Sequence, residues 1–161
     1  MRKFIGLALF VCLVALAGFA QETPKPEVFG GYQFTHLDPS WNASGWNGAA
    51  NMYINRWLGV TGDFSGAYKT GTSFYTYTGG PVVSMHKGSL SPFAHGLFGG
   101  GHASASGVGT SGFVMMFGGG VDMGNKQLAF RLFQFDWMST RFSGFTDNNN
   151  VRVSTGVLFR F

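Results

Sequence analysis

Apolar and polar residues alternate along most of the chain, and the segment 150–161 shows the clearest alternation. One parity carries Arg152 and Arg160, and the other is mostly apolar: Val151, Val153, Thr155, Val157, Phe159 and Phe161. Successive side chains of a β-strand point to opposite faces of its sheet. The pattern therefore predicts a strand with one apolar face and one face that bears two arginines.

Seven upstream segments have a similar character, and glycine, proline and polar residues separate them. Together with the last segment they predict eight β-strands, at 28–36, 45–55, 58–69, 73–86, 91–102, 112–123, 127–142 and 150–161. The alternation is poor in the fifth of these. No segment after residue 20 shows the 3.6-residue periodicity of an amphipathic helix.

Two of these strands contain an irregularity. In the seventh, the polar parity changes between Arg131 and Gln134, and one extra residue in a β-bulge at 132–134 would return Asp136 to the polar side. In the fourth, Gly79-Gly80 precedes Pro81, which lacks a backbone donor. We expect a second bulge or a twist there.

The connections indicate how the strands are arranged. The segments 37–44, 70–72, 103–111 and 143–149 are polar and mostly longer than 56–57, 87–90 and 124–126. Transmembrane barrels combine an even strand number with short periplasmic turns and longer outer loops. Backbone groups in lipid must all be paired, so the first strand must close on the last. The sequence predicts an all-β fold, an eight-stranded antiparallel up-and-down transmembrane β-barrel.

Composition supports this interpretation and excludes other classes. Only 11% of residues are charged whereas 17% are aromatic, a balance that suits a wall facing hydrocarbon better than a soluble domain. Glycine is frequent inside the predicted strands, where it permits the bends of a small barrel. The chain has no phosphate-binding glycine loop of the G-x-x-x-x-G-K-S/T type, and no basic cluster suited to nucleic acid.

The first residues predict export. Arg2 and Lys3 precede an apolar run at 4–16, and Gly18-Phe19-Ala20 supplies small residues for signal peptidase. The run is shorter than the ~20 residues needed to span a bilayer. We expect a cleaved signal peptide at 1–20, a periplasmic lead-in at 21–27 and the barrel domain at 28–161. Cys12 lies in the signal, so the mature chain is predicted to have no cysteine.

The charged residues of the inward parity form the first candidate site. Buried charges require partners, and an eight-stranded barrel is only wide enough to be filled by side chains. We therefore expect a network of salt bridges that fills the lumen, with a gated pore as the alternative. Its predicted members are Asp63, Asp122, Arg131, Asp136, Arg152 and Arg160.

Aromatic residues form the second candidate set, because membrane barrels carry aromatic girdles at both interfaces. The predicted girdle contains Trp46, Trp57, Tyr68, Tyr75, Tyr77, Trp137 and Phe161. In the predicted outer loops, Trp41 and Asp147 are candidate contacts for an extracellular ligand or a host surface.

Histidine and serine give no clear catalytic or metal site. The four histidines are scattered, and His95 and His102 are seven residues apart, on opposite faces of a regular strand. Ser84 with His86, and Ser91 with His95, are close in sequence, but the chain has no G-x-S-x-G motif. We predict that the protein is not an enzyme and has no cofactor.

These features resemble the small eight-stranded outer-membrane β-barrel family, which includes the OmpA-type transmembrane domain and OmpX-like proteins. The resemblance covers about 28–161 and rests on the signal peptide, the strand count, the segments 118–122 and 130–132, and the aromatic terminal strand. It implies a monomer in a Gram-negative outer membrane, surrounded by lipid and lipopolysaccharide. It also implies recognition by the barrel-assembly machinery through Thr155, Val157, Phe159 and Phe161.

Three functions remain open on this basis. The first is a non-enzymatic structural or surface-binding role, in adhesion or envelope integrity, exerted through the extracellular loops. The second is a narrow channel for ions or small solutes, gated by the lumen salt bridges. The third is a soluble periplasmic calycin-like barrel, which would place apolar side chains inside and polar ones outside.

Overall fold

The computed structural model describes residues 26–161, except Pro39, His86, Ser106, Lys126 and Ser143. The predicted signal peptide and all of the lead-in before residue 26 lie outside the described residues. The strands are β1 (Glu27–Leu37), β2 (Trp41–Tyr53), β3 (Leu58–Lys69), β4 (Thr72–Ser84), β5 (Leu90–Ala105), β6 (Val108–Gly124), β7 (Leu128–Phe142) and β8 (Phe145–Arg160).

The eight strands form one closed antiparallel barrel in which each strand pairs with its neighbours in sequence. β1 closes on β8 in a continuous register from Glu27↔Arg160 to His36↔Val151. The pairing of β1 with β8 closes the sheet, as the predicted fold class requires, and confirms that prediction. Among the described residues, no helix is long and apolar enough to cross a bilayer.

The barrel wall separates two kinds of side chain. Its exposed outer face carries large apolar and aromatic residues from every strand, among them Phe34, Met52, Phe64, Tyr77, Phe98, Phe117, Phe135 and Phe159. The buried inner face is mostly polar or charged. Outward apolar and inward polar side chains alternate along the strands, as the period-two sequence pattern predicted.

The bulge predicted in the seventh strand is present. The β6–β7 register shifts at Val121/Asp122 and the β7–β8 register shifts between Arg131 and Gln134. Leu132 and Phe133 consequently both face outward, with 46% and 52% of their surface exposed. The extra residue keeps Arg131 and Gln134 on the inner face, where both are buried.

No bulge is present at residues 79–81, where a bulge or a twist was predicted. The β4–β5 register is the same at Gly79↔Phe98 and at Val82↔His95, so no residue is inserted between them. Pro81 pairs in register with Val60 of β3 and faces outward. The β4–β5 pairing is interrupted at Gly80 and Pro81, because proline has no backbone N–H to donate, but the register does not change.

The connections differ from the predicted alternation of short turns and long outer loops. At the end opposite both termini, called here the far end, three turns contain only two residues, 70–71, 106–107 and 143–144. Each has glycine second, with φ of 73° at Gly71, 83° at Gly107 and 88° at Gly144. Glycine adopts this left-handed backbone without steric cost. The polar residues on either side of these glycines, which were predicted as loops, therefore belong to paired strands.

Closure depends on a close approach at the seam between β1 and β8. A Cβ atom on Gly31 would lie 2.1 Å from the carbonyl oxygen of Thr155 and 2.9 Å from Cα of Gly156. At the adjacent Gly30, a Cβ atom would meet nothing within 4 Å. Any side chain at Gly31 therefore pushes the two closing strands apart.

We expect Gly31→Ala to destabilise the refolded barrel by about 1–3 kcal/mol, because the added methyl group overlaps backbone atoms that cannot rotate away. Gly30→Ala is the matched control and should change stability by less than about 0.5 kcal/mol. Urea unfolding in detergent micelles, followed by tryptophan fluorescence, measures both. Equal stability of the two variants would contradict the role given to the seam.

Candidate functional site

The centre of the lumen is occupied by Arg152 of β8, which is 1% exposed and lies between two carboxylates. Its Nη1 donates to Oδ1 of Asp63 at 2.7 Å, and its Nε donates to Oδ2 of Asp136 at 2.8 Å. These carboxylates come from β3 and β7, so one guanidinium connects three strands across the barrel. Charge-assisted bonds of this length are among the strong hydrogen bonds of proteins.

A second arginine extends the network. Arg131 of β7 forms a two-pronged salt bridge with Asp122 of β6, through Nε at 2.8 Å and Nη2 at 3.1 Å. Gln134 links the two halves, since its Oε1 accepts from Arg131 and its Nε2 donates to Asp136 at 2.7 Å. The β7 bulge permits this link by placing Arg131, Gln134 and Asp136 all on the inner face.

Two aromatic rings contact the Arg131 guanidinium. Its central carbon lies 4.2 Å from the ring centroid of Phe29 and 4.1 Å from that of Phe93. Cations at this distance are attracted to the ring faces, and more strongly where water is excluded. The rings therefore fix the plane in which Arg131 meets Asp122.

Polar side chains complete the contacts of the two central carboxylates. Nε2 of His95 lies 2.7 Å from Oδ1 of Asp136, and Nδ2 of Asn47 donates to Oδ2 of Asp63 at 2.9 Å. Asp63, Asp122 and Asp136 thus face the cations Arg131 and Arg152, with His95 beside them. A buried ion pair offsets the loss of hydration only when such additional bonds satisfy its oxygens and protons.

Arg160, predicted as a member of this network, lies instead in a separate cluster near the termini. Its Nε donates to Oε1 of Glu27 at 2.7 Å, and its Nη2 donates to Ser91 at 3.2 Å. Glu27 also accepts from Asn51 at 3.1 Å and from Tyr53 at 3.0 Å. Arg160 thus pairs with Glu27 and not with any of the three aspartates of the predicted network.

Glu27 was not among the predicted members of this network, because the predicted first strand began at residue 28. β1 begins at Glu27, which is 2% exposed. The alternation pattern does indicate this position, because Glu27 shares its parity with Gln33, which faces inward. Extending the first strand by one residue would have identified it.

The far part of the lumen is apolar, whereas the sequence pattern had predicted only charged residues there. Phe74, Leu97, Val114, Met116 and Met138 form a buried cluster, and Leu37, Trp41, Ala103 and Phe142 pack against it. Apolar residues occupy both parities of β6, so alternation alone did not indicate which of them face inward. Trp41 lies in β2 rather than in a loop and contacts this cluster.

The predicted girdle residues all lie on the exposed outer face. Near the far end, Nε1 of Trp46 donates to the hydroxyl of Tyr68 at 3.1 Å, and Tyr68 meets Tyr75 edge to face with ring centroids 5.6 Å apart. Gly66 lies beneath this contact, and a Cβ atom there would be 2.9 Å from both Trp46 and Tyr68. Trp137 stacks on Phe117, while Trp57 and Phe161 lie near the termini.

The four residues of the predicted assembly signal share the outward side of β8, with Phe159 and Phe161 strongly exposed. The hydroxyl of Thr155 donates to the carbonyl of Arg131 at 2.8 Å, and the backbone N–H of Phe161 donates to Pro26 at 3.0 Å. Asp147, predicted in a loop, lies in β8 instead and accepts from the backbone of Asn149 at 3.1 Å.

The remaining candidates for chemistry are dispersed. His36 contacts Asn42, His102 contacts Ser111, and His86 lies outside the described residues. His95 bonds to Asp136, while the hydroxyl of Ser91 accepts from Arg160. Within the described ranges, no three His, Cys, Asp or Glu side chains group as metal ligands. The geometry of the lumen thus suits mutual charge neutralisation between strands.

We expect Arg152→Met to destabilise the barrel by about 3–5 kcal/mol, because it leaves Asp63 and Asp136 buried without their shared cation. The exposed Arg56 offers a control, and Arg56→Met should cost less than about 0.5 kcal/mol. Adding Asp63→Asn to Arg152→Met should recover part of the loss by removing one unpaired charge. Urea titration in a zwitterionic detergent checks all three, and an equal cost for the two arginine variants would contradict the network.

No family model and no curated protein sequence matches the chain. Solved structures do match it. Ail, the attachment invasion locus protein of Yersinia pestis, in complex with the heparin analogue sucrose octasulfate, has a TM-score of 0.61 at 18% identity. That alignment covers 88% of this chain and 100% of Ail.

Two further structures have the same architecture. Neisserial surface protein A has a TM-score of 0.64 at 10% identity, over 84% of this chain and 96% of its own. The N-terminal β-barrel domain of Pseudomonas aeruginosa OprF has a TM-score of 0.60 at 9% identity, over 87% and 100%. At these identities the similarity shows the fold, and the chain has the fold of small eight-stranded outer-membrane β-barrels.

Proposed function

We propose that the protein is a non-enzymatic, monomeric integral barrel of a Gram-negative outer membrane, with a structural or surface-binding role. One observation carries the proposal: the outer wall of a closed barrel exposes large apolar residues from every strand. A soluble protein rarely exposes so extended an apolar surface, whereas a membrane barrel requires one. The similarity to Ail, an outer-membrane protein of Yersinia pestis, supports this location.

The same observation disfavours the soluble calycin-like alternative, which needs polar residues outside. The lumen likewise disfavours an open channel. Salt bridges occupy its middle, and the apolar cluster around Met116 and Met138 fills its far part. An eight-stranded barrel is narrow enough for side chains to fill it. The filled interior therefore favours a structural role, in which a stable barrel supports the outer surface.

The far end is the surface that would face outward, because both termini then lie on the periplasmic side from which an exported chain inserts. Because the far-end connections contain only two or three residues, long loops are not the binding elements. Strand extensions take their place, since β8 continues through residues 145–150 beyond its last pair with β1. Ail is named for attachment and invasion and was solved with a heparin analogue, which supports a contact role at this end.

We expect thiol labelling of intact cells to establish the location and orientation. Asn149→Cys, exposed in the far-end extension, should react with a membrane-impermeant maleimide, while Arg56→Cys, exposed in a turn at the other end, should react only after lysis. The mature chain offers no competing cysteine if the signal is removed. Recovery in the soluble periplasm, or equal labelling of both variants, would contradict the proposal.

We also infer that the barrel-assembly machinery recognises the outward row Thr155, Val157, Phe159 and Phe161. Phe161→Ser should lower the amount of assembled protein in cells by about tenfold, because the exposed ring would no longer be available to the machinery. The purified variant should refold in detergent as efficiently as the wild type, since Phe161 lies outside the packed lumen. Heat-modified gel mobility measures both, and equal losses in cells and in detergent would contradict a recognition role.

A further inference from the structure

The charged groups in the middle of the lumen do not balance unless a third cation joins them. Three buried carboxylates face only two guanidinium groups among the described residues, and these five groups belong to Asp63, Asp122, Asp136, Arg131 and Arg152. Arg160 and Glu27 pair with each other near the termini and leave this balance unchanged. One negative charge is therefore left over, and a buried charge without a partner is costly.

His95 of β5 lies where it can supply the missing positive charge. Its side chain is buried, and its Nε2 lies 2.7 Å from Oδ1 of Asp136. The other oxygen of that carboxylate accepts from Arg152 and Gln134. An ionised carboxylate only accepts hydrogen bonds, so the hydrogen in this contact belongs to Nε2. The ring of Phe93 lies beside the imidazole, with centroids 5.8 Å apart, and an aromatic ring at this distance attracts a cation.

A glycine on the intervening strand makes this contact possible. The register places His95, Gly118 and Asp136 in one row across β5, β6 and β7, so the two side chains meet over the strand between them. A Cβ atom on Gly118 would overlap Oδ1 of Asp136, the oxygen that His95 contacts. Any side chain at Gly118 would therefore separate the histidine from the carboxylate.

Histidine is the group of this set whose charge changes near neutral pH. The other titratable groups in the middle of the lumen come from four strands, and they are Asp63 of β3, Asp122 of β6, Arg131 and Asp136 of β7, and Arg152 of β8. On its other side β5 pairs with β4, which has no titratable side chain on its inner face. Carboxyl and guanidinium groups do not ordinarily change charge near neutral pH, whereas an imidazole does.

His95 also lies beside an interruption in the wall. The pairing of β4 with β5 is missing at Gly80 and Pro81 and begins again with Val82↔His95. Gly80 and Gly96 bring no side chains that could pack across this gap. Regions with few backbone bonds and little side-chain packing open before the rest of a protein. The contact with β7 thus anchors β5 at a point where its pairing with β4 is incomplete.

We propose that the His95–Asp136 pair is a pH-sensitive latch, which takes up one proton to hold β5 in place. With the proton bound, the charges of the lumen balance and β5 is tied to β7. Without it, one buried negative charge has no partner, and opening at the β4–β5 interruption becomes easier because it lets water reach that charge. The closed state holds a proton that the open state releases, so the latch holds at low pH and loosens as the pH rises. This device lies in the lumen and does not depend on the proposed surface role.

The test is hydrogen–deuterium exchange of the refolded barrel in zwitterionic micelles, at about pH 6 and about pH 8, on either side of the usual titration range of histidine. Rates are corrected for the chemical exchange rate at each pH. We expect the opening constant of the segments 79–83 and 93–97 to rise by up to about tenfold for each pH unit, as the release of one proton requires. The segment 28–33 of β1, whose pairing with β8 is continuous, is the internal reference.

Two variants should remove this pH dependence for different reasons. His95→Gln keeps a donor for Asp136 but takes up no proton, so its opening constant should be high at both pH values. Asp136→Asn removes the surplus negative charge, so the network balances without a proton on His95 and opening should again be independent of pH. His102→Gln is the matched control, because His102 lies on the same strand and contacts Ser111, and it should keep the wild-type dependence.

Three results would overturn the latch. They are an opening constant in the wild type that does not change with pH, a wild-type pH dependence that persists in His95→Gln or Asp136→Asn, and an equal change in the reference segment. The last result would show that the whole barrel loses stability and that the effect is not local. If His95→Gln does not refold, Asp136→Asn decides the same question from the other side of the pair.

Discussion

The pairing of β1 with β8 is the interaction on which the rest of the structure depends. Within a bilayer, an unpaired backbone N–H or C=O group costs several kcal/mol, so the sheet must close. In this chain closure requires the backbones to approach closely at Gly31 and Gly156, where a side chain would overlap the opposite strand. Once the barrel is closed with eight strands, its interior is narrow, and the charged side chains buried there require partners of opposite charge.

That narrow interior explains why the chain keeps buried charges despite their cost. The inner face is charged at Asp63, Asp136 and Arg152, and each of these groups would be strongly unfavourable alone. Connected across β3, β7 and β8, they neutralise one another and tie together strands that are distant in sequence. The β7 bulge contributes to this network, because it keeps Gln134 on the inner face, between the two arginines.

The sequence predicted those parts of the fold that depend on alternation. Strand number, closure and the bulge at 132–134 follow from which residues must avoid lipid, a constraint that acts on every second residue. Two features do not follow from it. Val114 and Met116 face inward although they are apolar, and the polar flanks around Gly107 and Gly144 are strands although they resemble loops. The first depends on packing in the far lumen, and the second on a single left-handed glycine in each turn.

Short far-end turns also change where surface chemistry can reside. In a barrel with long loops, exposed polar residues concentrate above the membrane, and the wall itself is uniformly apolar. Here β5, β6 and β8 contain 16, 17 and 16 residues, more than the ~9–11 that a tilted strand needs to cross. In the proposed membrane location, the excess length would extend the wall beyond the hydrocarbon, where outward side chains can be polar. Exposed polar side chains such as Ser111 of β6 and Arg141 of β7 are then held by rigid strands, which position them more accurately than loops would.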